Sequence, residues 1–178
     1  MVESPDKKEL IKALSDCGAV SFGNFVLSSG KTSNYYIDIK KASTDPETLS
    51  LIAEMMSSII EDKDIDAIGG VELGGVPIAT AVSLRTKLPL TVIRKASKDY
   101  GTKSRFIGKV DRGTKIALVE DVTTSGGSVI EAISAIRDTG AIVEAVITVV
   151  DRSAGAAEKL RSMGIDLLYL VNAGDLTK

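Results

Sequence analysis

The chain has 178 residues, 44% hydrophobic and 26% charged, with a formal net charge of −2; this is the balance of a globular protein, with no basic surplus for a nucleic-acid partner. It contains no histidine, which excludes Ser-His-Asp and Cys-His nucleophilic triads and the usual zinc sites together. Cys17 is its one cysteine, so no intrachain disulfide can form.

No uncharged apolar run approaches the roughly 18 residues of a membrane span, and MVESPDKKEL lacks the apolar stretch of a signal peptide. A cytoplasmic chain without membrane contact is expected, organised as one domain over residues 1–178.

Ser4 and Pro5 followed by Leu10, Ile11, Leu14 and Cys17 predict an amphipathic helix capped at Ser4 and stopped at Gly18, with Cys17 as a structural thiol on its apolar face. FVLSSGKTSNYYIDIK alternates loosely about Ser29-Gly30, as a hairpin does. Thr44 and Glu47 have capping-box spacing, and Leu49, Ile52, Ala53, Met56, Ile59 and Ile60 make a helical stripe.

From Asp66 the pattern becomes strand, glycine turn, helix, repeated. Strands are predicted at Asp66 to Val71, Leu90 to Arg94, Lys115 to Val119, Ile142 to Val150 and Ile165 to Val171. Helices are predicted from Gly74-Gly75 and Pro77 to about Thr86, around Val129, Ile130, Ile133 and Ile136, and from about Ala154 to Met163. Residues 95–108 read as a polar loop. Apolar strands alternating with helices imply a parallel sheet covered on both faces, whose ligands bind at the carboxyl ends of the strands.

At one such end lie Glu120, Asp121, Val122, Thr123, Thr124, Ser125, Gly126, Gly127 and Ser128. Adjacent carboxylates there resist desolvation and repel each other; in the empty protein one is expected to be solvated or paired with a lysine. The hydroxyls and glycine amides that follow make a nest for an anion at a helix N-terminus. The Walker lysine is missing, and there is no GxGxxG. A ribose 5-phosphate suits both halves, with phosphate in the nest and hydroxyls or hydrated Mg²⁺ at the carboxylates. The plainer alternative makes Glu120 and Asp121 turn residues and Thr124 a helix cap.

GGVELGGVP, residues 69–77, offers a second amide-rich turn, which is also ordinary helix-start chemistry. RKASKDYGTKSRFIG, residues 94–108, is a basic loop that would be a solvated surface segment in most settings, but a lid carrying Arg94, Lys95 and Lys98 opposite a polyanion.

VEDVTTSGGS resembles the signature for 5-phosphoribosyl 1-pyrophosphate (PRPP) in type I phosphoribosyltransferases. With RKASKDYG, SSGKTSNYY and Asp151-Arg152, the chain is similar to the orotate phosphoribosyltransferase family in its short, archaeal-like form, over roughly residues 5 to 172. The resemblance implies an α/β fold: a mostly parallel central sheet flanked by helices on both faces, with a core at about 64–171 and a small N-terminal hood built from about 1–40. It implies transfer of the phosphoribosyl group from PRPP to orotate in pyrimidine biosynthesis, with Mg²⁺ as cofactor, in a homodimer that shares lid residues.

By the same resemblance, Glu120 and Asp121 contact ribose hydroxyls directly or through Mg²⁺, and Val122 joins them to the 5-phosphate cradle of Thr123 to Ser128. Arg94, Lys95 and Lys98 hold pyrophosphate, with Lys95 reaching into the neighbouring subunit; Thr124 and Arg152 bind orotate. Lys98 and Asp121 are the catalytic assignments, Asp121 as a sugar and metal contact. The chain departs from the family at Tyr100, where a histidine is frequent, at Ser28, where many members carry lysine, and at Gly74, where bacterial members do. Two rival readings stay open: a phosphoribosyltransferase for a purine base, and a PRPP-sensing regulator without catalysis.

Overall fold

The computed structural model describes residues 6–26, 32–95 and 104–176. Helix α1, Lys7–Asp16, buries Leu10 and Leu14 and is capped by Asp6, whose carboxylate accepts from Glu9 N at 2.8 Å. The cap is therefore Asp6 and not Ser4: an Asx side chain directly before the first turn reaches the third amide of the helix. Cys17 is half-buried just after that helix.

Strands β1, Val20–Val26, and β2, Thr32–Ile37, pair antiparallel as the expected hairpin and form a two-stranded sheet of their own. Then comes α2, Ile39–Thr44, which no periodicity announced, because six residues are too few to repeat a helical face. Helix α3, Pro46–Ile60, follows with Asp45 as its cap, accepting from Thr48 N at 2.9 Å and Thr48 Oγ1 at 2.6 Å. The Thr44–Glu47 capping box is thus replaced by Asp45-Pro46, a cap followed by proline at the first helical position. Thr44 is spent on α2, its hydroxyl donating to the carbonyls of Lys40 and Lys41.

The main sheet has six strands in the order β5-β4-β3-β6-β7-β8. Strands β3 (Ala67–Val71), β4 (Leu90–Ile93), β6 (Lys115–Thr123), β7 (Ile142–Asp151) and β8 (Leu167–Asn172) are parallel. A short β5, Phe106–Ile107, runs antiparallel to β4 inside what the sequence marks only as a polar loop. Helices α4 (Gly75–Thr86), α5 (Gly127–Asp138) and α6 (Ala156–Ser162) make the crossovers.

Alternation along β6 shows how the layers are assembled. Ala117 and Val119 point into a core shared with α1, α3 and α4, while Ile116 and Leu118 point into a second core with Ile133, Ile136 and Leu160 of α5 and α6. A strand buried on both faces needs apolar residues at every position, which is why KIALV carries no polar alternation.

From β3 the chain builds outward to β4 and β5, and from β6 outward in the opposite direction. The carboxyl ends of β3 and β6 thus flank the point where strand order reverses, the place at which open α/β sheets leave a crevice. Among the described residues no helix is long and apolar enough to cross a membrane.

Candidate active site

The crevice is present. A cleft of about 380 Å³ is lined by Lys40, by 72–74 after β3, by Lys95 after β4, and by 120–129, from the end of β6 into α5. It gathers the two amide-rich turns singled out in the sequence, with Glu120, Asp121 and Lys95 between them.

The floor is the carboxylate pair. Strand β6 runs on through Thr123, so Glu120 is a buried strand residue, 6% exposed, while Asp121 is half-buried. Burial pushes the Glu120 carboxyl up to about 9; the hydrogen bond and negative charge of Asp121 push the same way, and the Asp121 amide and the Lys95 charge oppose them. Glu120 therefore carries a proton at neutral pH. That proton removes one of the two adjacent charges, while Asp121 stays half-buried at the cleft. Asp121 Oδ1 accepts from Val122 N at 2.8 Å.

Asp121 also explains Gly74. A Cβ built on Gly74 would overlap the Asp121 carboxylate, so any side chain there requires that carboxylate to turn away.

Above the carboxylates, α5 begins at Gly127 after Gly126, which has φ +78° and makes no side-chain cap hydrogen bond. Thr124 is therefore not the helix cap, and the first amides of α5 are left to the cleft. Thr124, Ser125, Gly127 and Ser128 are exposed, and Lys159 of α6 holds the loop from outside, donating to Ser125 O at 2.9 Å. Thr123 is buried with its hydroxyl turned to Asp151 Oδ1 at 3.3 Å.

Arg152 stands at the end of β7, bonded through its amide to Thr123 O at 2.9 Å. Asp151 accepts from Ser153 N and Oγ as well as Thr123, and the Arg152 guanidinium lies over the Tyr35 ring at 5.8 Å instead of pairing with Asp151. The hairpin and the main sheet thus meet at this cation–π contact. Arg152 and Arg94 do not line the cleft itself. The Arg94 Nε and Nη1 are buried without hydrogen-bond partners among the described residues. Lys95, which the resemblance has reaching into a neighbouring subunit, lines the cleft of its own chain. Lys98, Tyr100 and Ser28 lie outside the described residues.

Two cleft residues and one contact outside the cleft escaped the sequence reading. Lys40 sits on the unforeseen α2; Glu72 is hidden within a turn read for its glycines; Tyr35 is an aromatic in a strand that gave no sign of facing Arg152.

Residues 39–164 match the family model for the phosphoribosyl transferase domain. An orotate phosphoribosyltransferase of Methanosarcina mazei is 58% identical over 172 residues, 97% of this chain and 92% of that protein. One from Methanocaldococcus jannaschii is 51% identical, covering 96% of each. The chain belongs to the orotate phosphoribosyltransferase family.

Solved structures place that family's fold on the chain. The orotate phosphoribosyltransferase of Mycobacterium tuberculosis, crystallised with PRPP, superposes with a TM-score of 0.81 at 31% identity, covering 98% of this chain and 100% of that one. An adenine phosphoribosyltransferase of Leishmania donovani reaches a TM-score of 0.73 at 18% identity, which shows the shared fold alone. The sheet is thus shared beyond the orotate phosphoribosyltransferase family.

Proposed function

We propose that the chain transfers the 5-phosphoribosyl group of PRPP to orotate, giving orotidine 5′-monophosphate and pyrophosphate, and so serves pyrimidine biosynthesis. The observation that carries the reading is the pairing, in one cleft, of an uncapped helix N-terminus with the carboxyls of Glu120 and Asp121 and the cation of Lys95. A sugar phosphate bearing a pyrophosphate presents the complementary groups in that order. A purine-specific enzyme would be expected to lack a guanidinium at the base end, and Arg152 supplies one suited to a carboxylate.

In this reading the α5 amides with Thr124, Ser125, Gly126, Gly127 and Ser128 hold the 5-phosphate, and Glu120 and Asp121 face the ribose hydroxyls. Lys95 and Lys40 face the pyrophosphate. The β1–β2 hairpin is the hood, presenting Tyr35 and the Arg152 guanidinium above it to orotate, beside Thr124.

The nucleophile is orotate N1, which attacks C1 of the ribose while the C1–oxygen bond to pyrophosphate breaks. Negative charge grows on the departing group, so fixed cations aimed at it lower the barrier. Orotate N1 is readily anionic, and no side chain has to accept its proton.

Among the described residues no three carboxylates or cysteines gather into a cage for an ion. Two carboxyls beside a polyphosphate site nonetheless fit Mg²⁺, which keeps its waters and binds through one or two carboxylates plus substrate phosphates. Asp121, with Glu120 once deprotonated, would hold it, and when bound it supplies charge to the leaving pyrophosphate. A cytoplasmic homodimer completes the proposal, supported by the family resemblance.

Lys98 is assigned the transition-state contact to pyrophosphate. Steady-state turnover of Lys98→Ala, followed by loss of orotate absorbance, is expected to fall about a hundredfold or more, as removal of such a contact does. Near-normal turnover would sink the assignment.

A further inference from the structure

Lys95 lies two residues beyond the end of β4, past the last rung of the ladder, where its backbone has no strand partner among the described residues. Both of its backbone polar groups are nevertheless taken, each by a side chain from a different part of the chain. On one side Glu72 accepts from Lys95 N through Oε2 at 3.1 Å, and Glu72 N donates to Ile93 O at 2.9 Å, so the turn after β3 and the end of β4 are tied reciprocally. On the other side Arg105 spreads its guanidinium over two consecutive carbonyls, Nε to Arg94 O and Nη2 to Lys95 O, each at 3.2 Å. Arg94 N returns a bond to Arg105 O at 2.8 Å.

We propose that Arg105 and Glu72 are positioning residues that grip the Arg94–Lys95 backbone from both sides and thereby aim Lys95 into the cleft. This rests on the reading of the cleft as a PRPP site. The planar guanidinium carries several donors in a fixed fork, which suits two adjacent carbonyls; a lysine ammonium is a single point that cannot bridge them with the same geometry. Holding the backbone spends no binding energy on ordering it when the substrate arrives. Neither residue needs to touch the substrate to act.

The test is calorimetric titration of PRPP with Mg²⁺ into the whole protein and its variants, with melting temperature as the fold control. Arg105→Gln and Arg105→Lys are each expected to weaken PRPP about tenfold, less than the roughly hundredfold that a misplacement of about 1 Å can cost in rate. Lys fails to rescue because charge without the fork is not enough. In a Lys95→Ala background, Arg105→Gln should cost nothing further, since a residue acting through Lys95 has nothing left to aim. Glu72→Ala should behave like Arg105→Gln, and Glu72→Gln, which keeps an acceptor oxygen, should lose less.

Wild-type affinity in Arg105→Gln, full rescue by Arg105→Lys, or an undiminished loss on top of Lys95→Ala would each overturn the proposal. Orotate turnover on the same preparations separates the two claims. Absent turnover with these binding effects intact would sink the functional reading and leave the grip on Lys95 standing.

Discussion

Glu120 holds a proton that the sequence assigns to no one. Its carboxyl is 6% exposed at the end of a two-faced strand, against a second carboxyl, and its pKa is raised from 4.5 to about 9. The consequence for stability has a definite sign. The contribution of this group is fully present below about 4.5 and is lost as pH rises toward about 9, because over that window the unfolded chain has released the proton and the fold retains it. Glutamine mimics the protonated carboxyl without titrating. Glu120→Gln should therefore melt above the wild type, with the gap wider at about pH 8.5 than at about pH 5.5. A constant gap between the two pH values would contradict the buried, protonated state. Arg152 belongs to the same scale: Asp151, its neighbour in sequence, is occupied by Thr123 and Ser153, so the guanidinium rests on Tyr35. The Asp-Arg pair was legible in the sequence, but the partner that keeps Arg152 away from Asp151 lies on another element and left no local trace.

At the scale of elements, α5 and the loop before it decide whether an anion can bind. Gly126 adopts φ +78°, and a Cβ there would come within 3.3 Å of Ala156 Cβ. Gly126→Ala should cost about 1–2 kcal/mol from the left-handed backbone, seen as a lower melting temperature, and should weaken PRPP binding in titration by turning the α5 amides away from the cleft. Unaltered PRPP affinity would show that the nest is not the phosphate site. The helical stripes and buried strands were legible because they repeat over many residues; their ends were not. Asp6 and Asp45 displaced Ser4 and Thr44 as caps, since several small polar residues in a row satisfy the same local rule and only the path of the chain selects among them. Strand β5 and helix α2 are too short to repeat anything, and Lys40 and Arg105 went unremarked with them.

For the whole molecule, the sheet order places the carboxyl ends of β3 and β6 side by side, and the two glycine-rich turns meet there because strand order reverses between those two parallel strands. That convergence was readable from the alternation of elements before any contact was known. The base was legible only through the family resemblance carried by RKASKDYG, SSGKTSNYY and Asp151-Arg152 and not through periodicity, because the contact that seats the Arg152 guanidinium on Tyr35 is made between distant elements by tertiary packing. The same sheet carries an adenine enzyme at 18% identity, so the fold cannot choose the substrate and the account stands on Arg152, Tyr35 and Thr124. The most direct test is a single competitive incubation of the protein with PRPP, Mg²⁺ and equal amounts of orotate, uracil, adenine and hypoxanthine, with the nucleotide products identified by mass. Orotidine 5′-monophosphate should accumulate with an equal amount of pyrophosphate while the other bases persist. Formation of a purine nucleotide with orotate untouched would contradict the account.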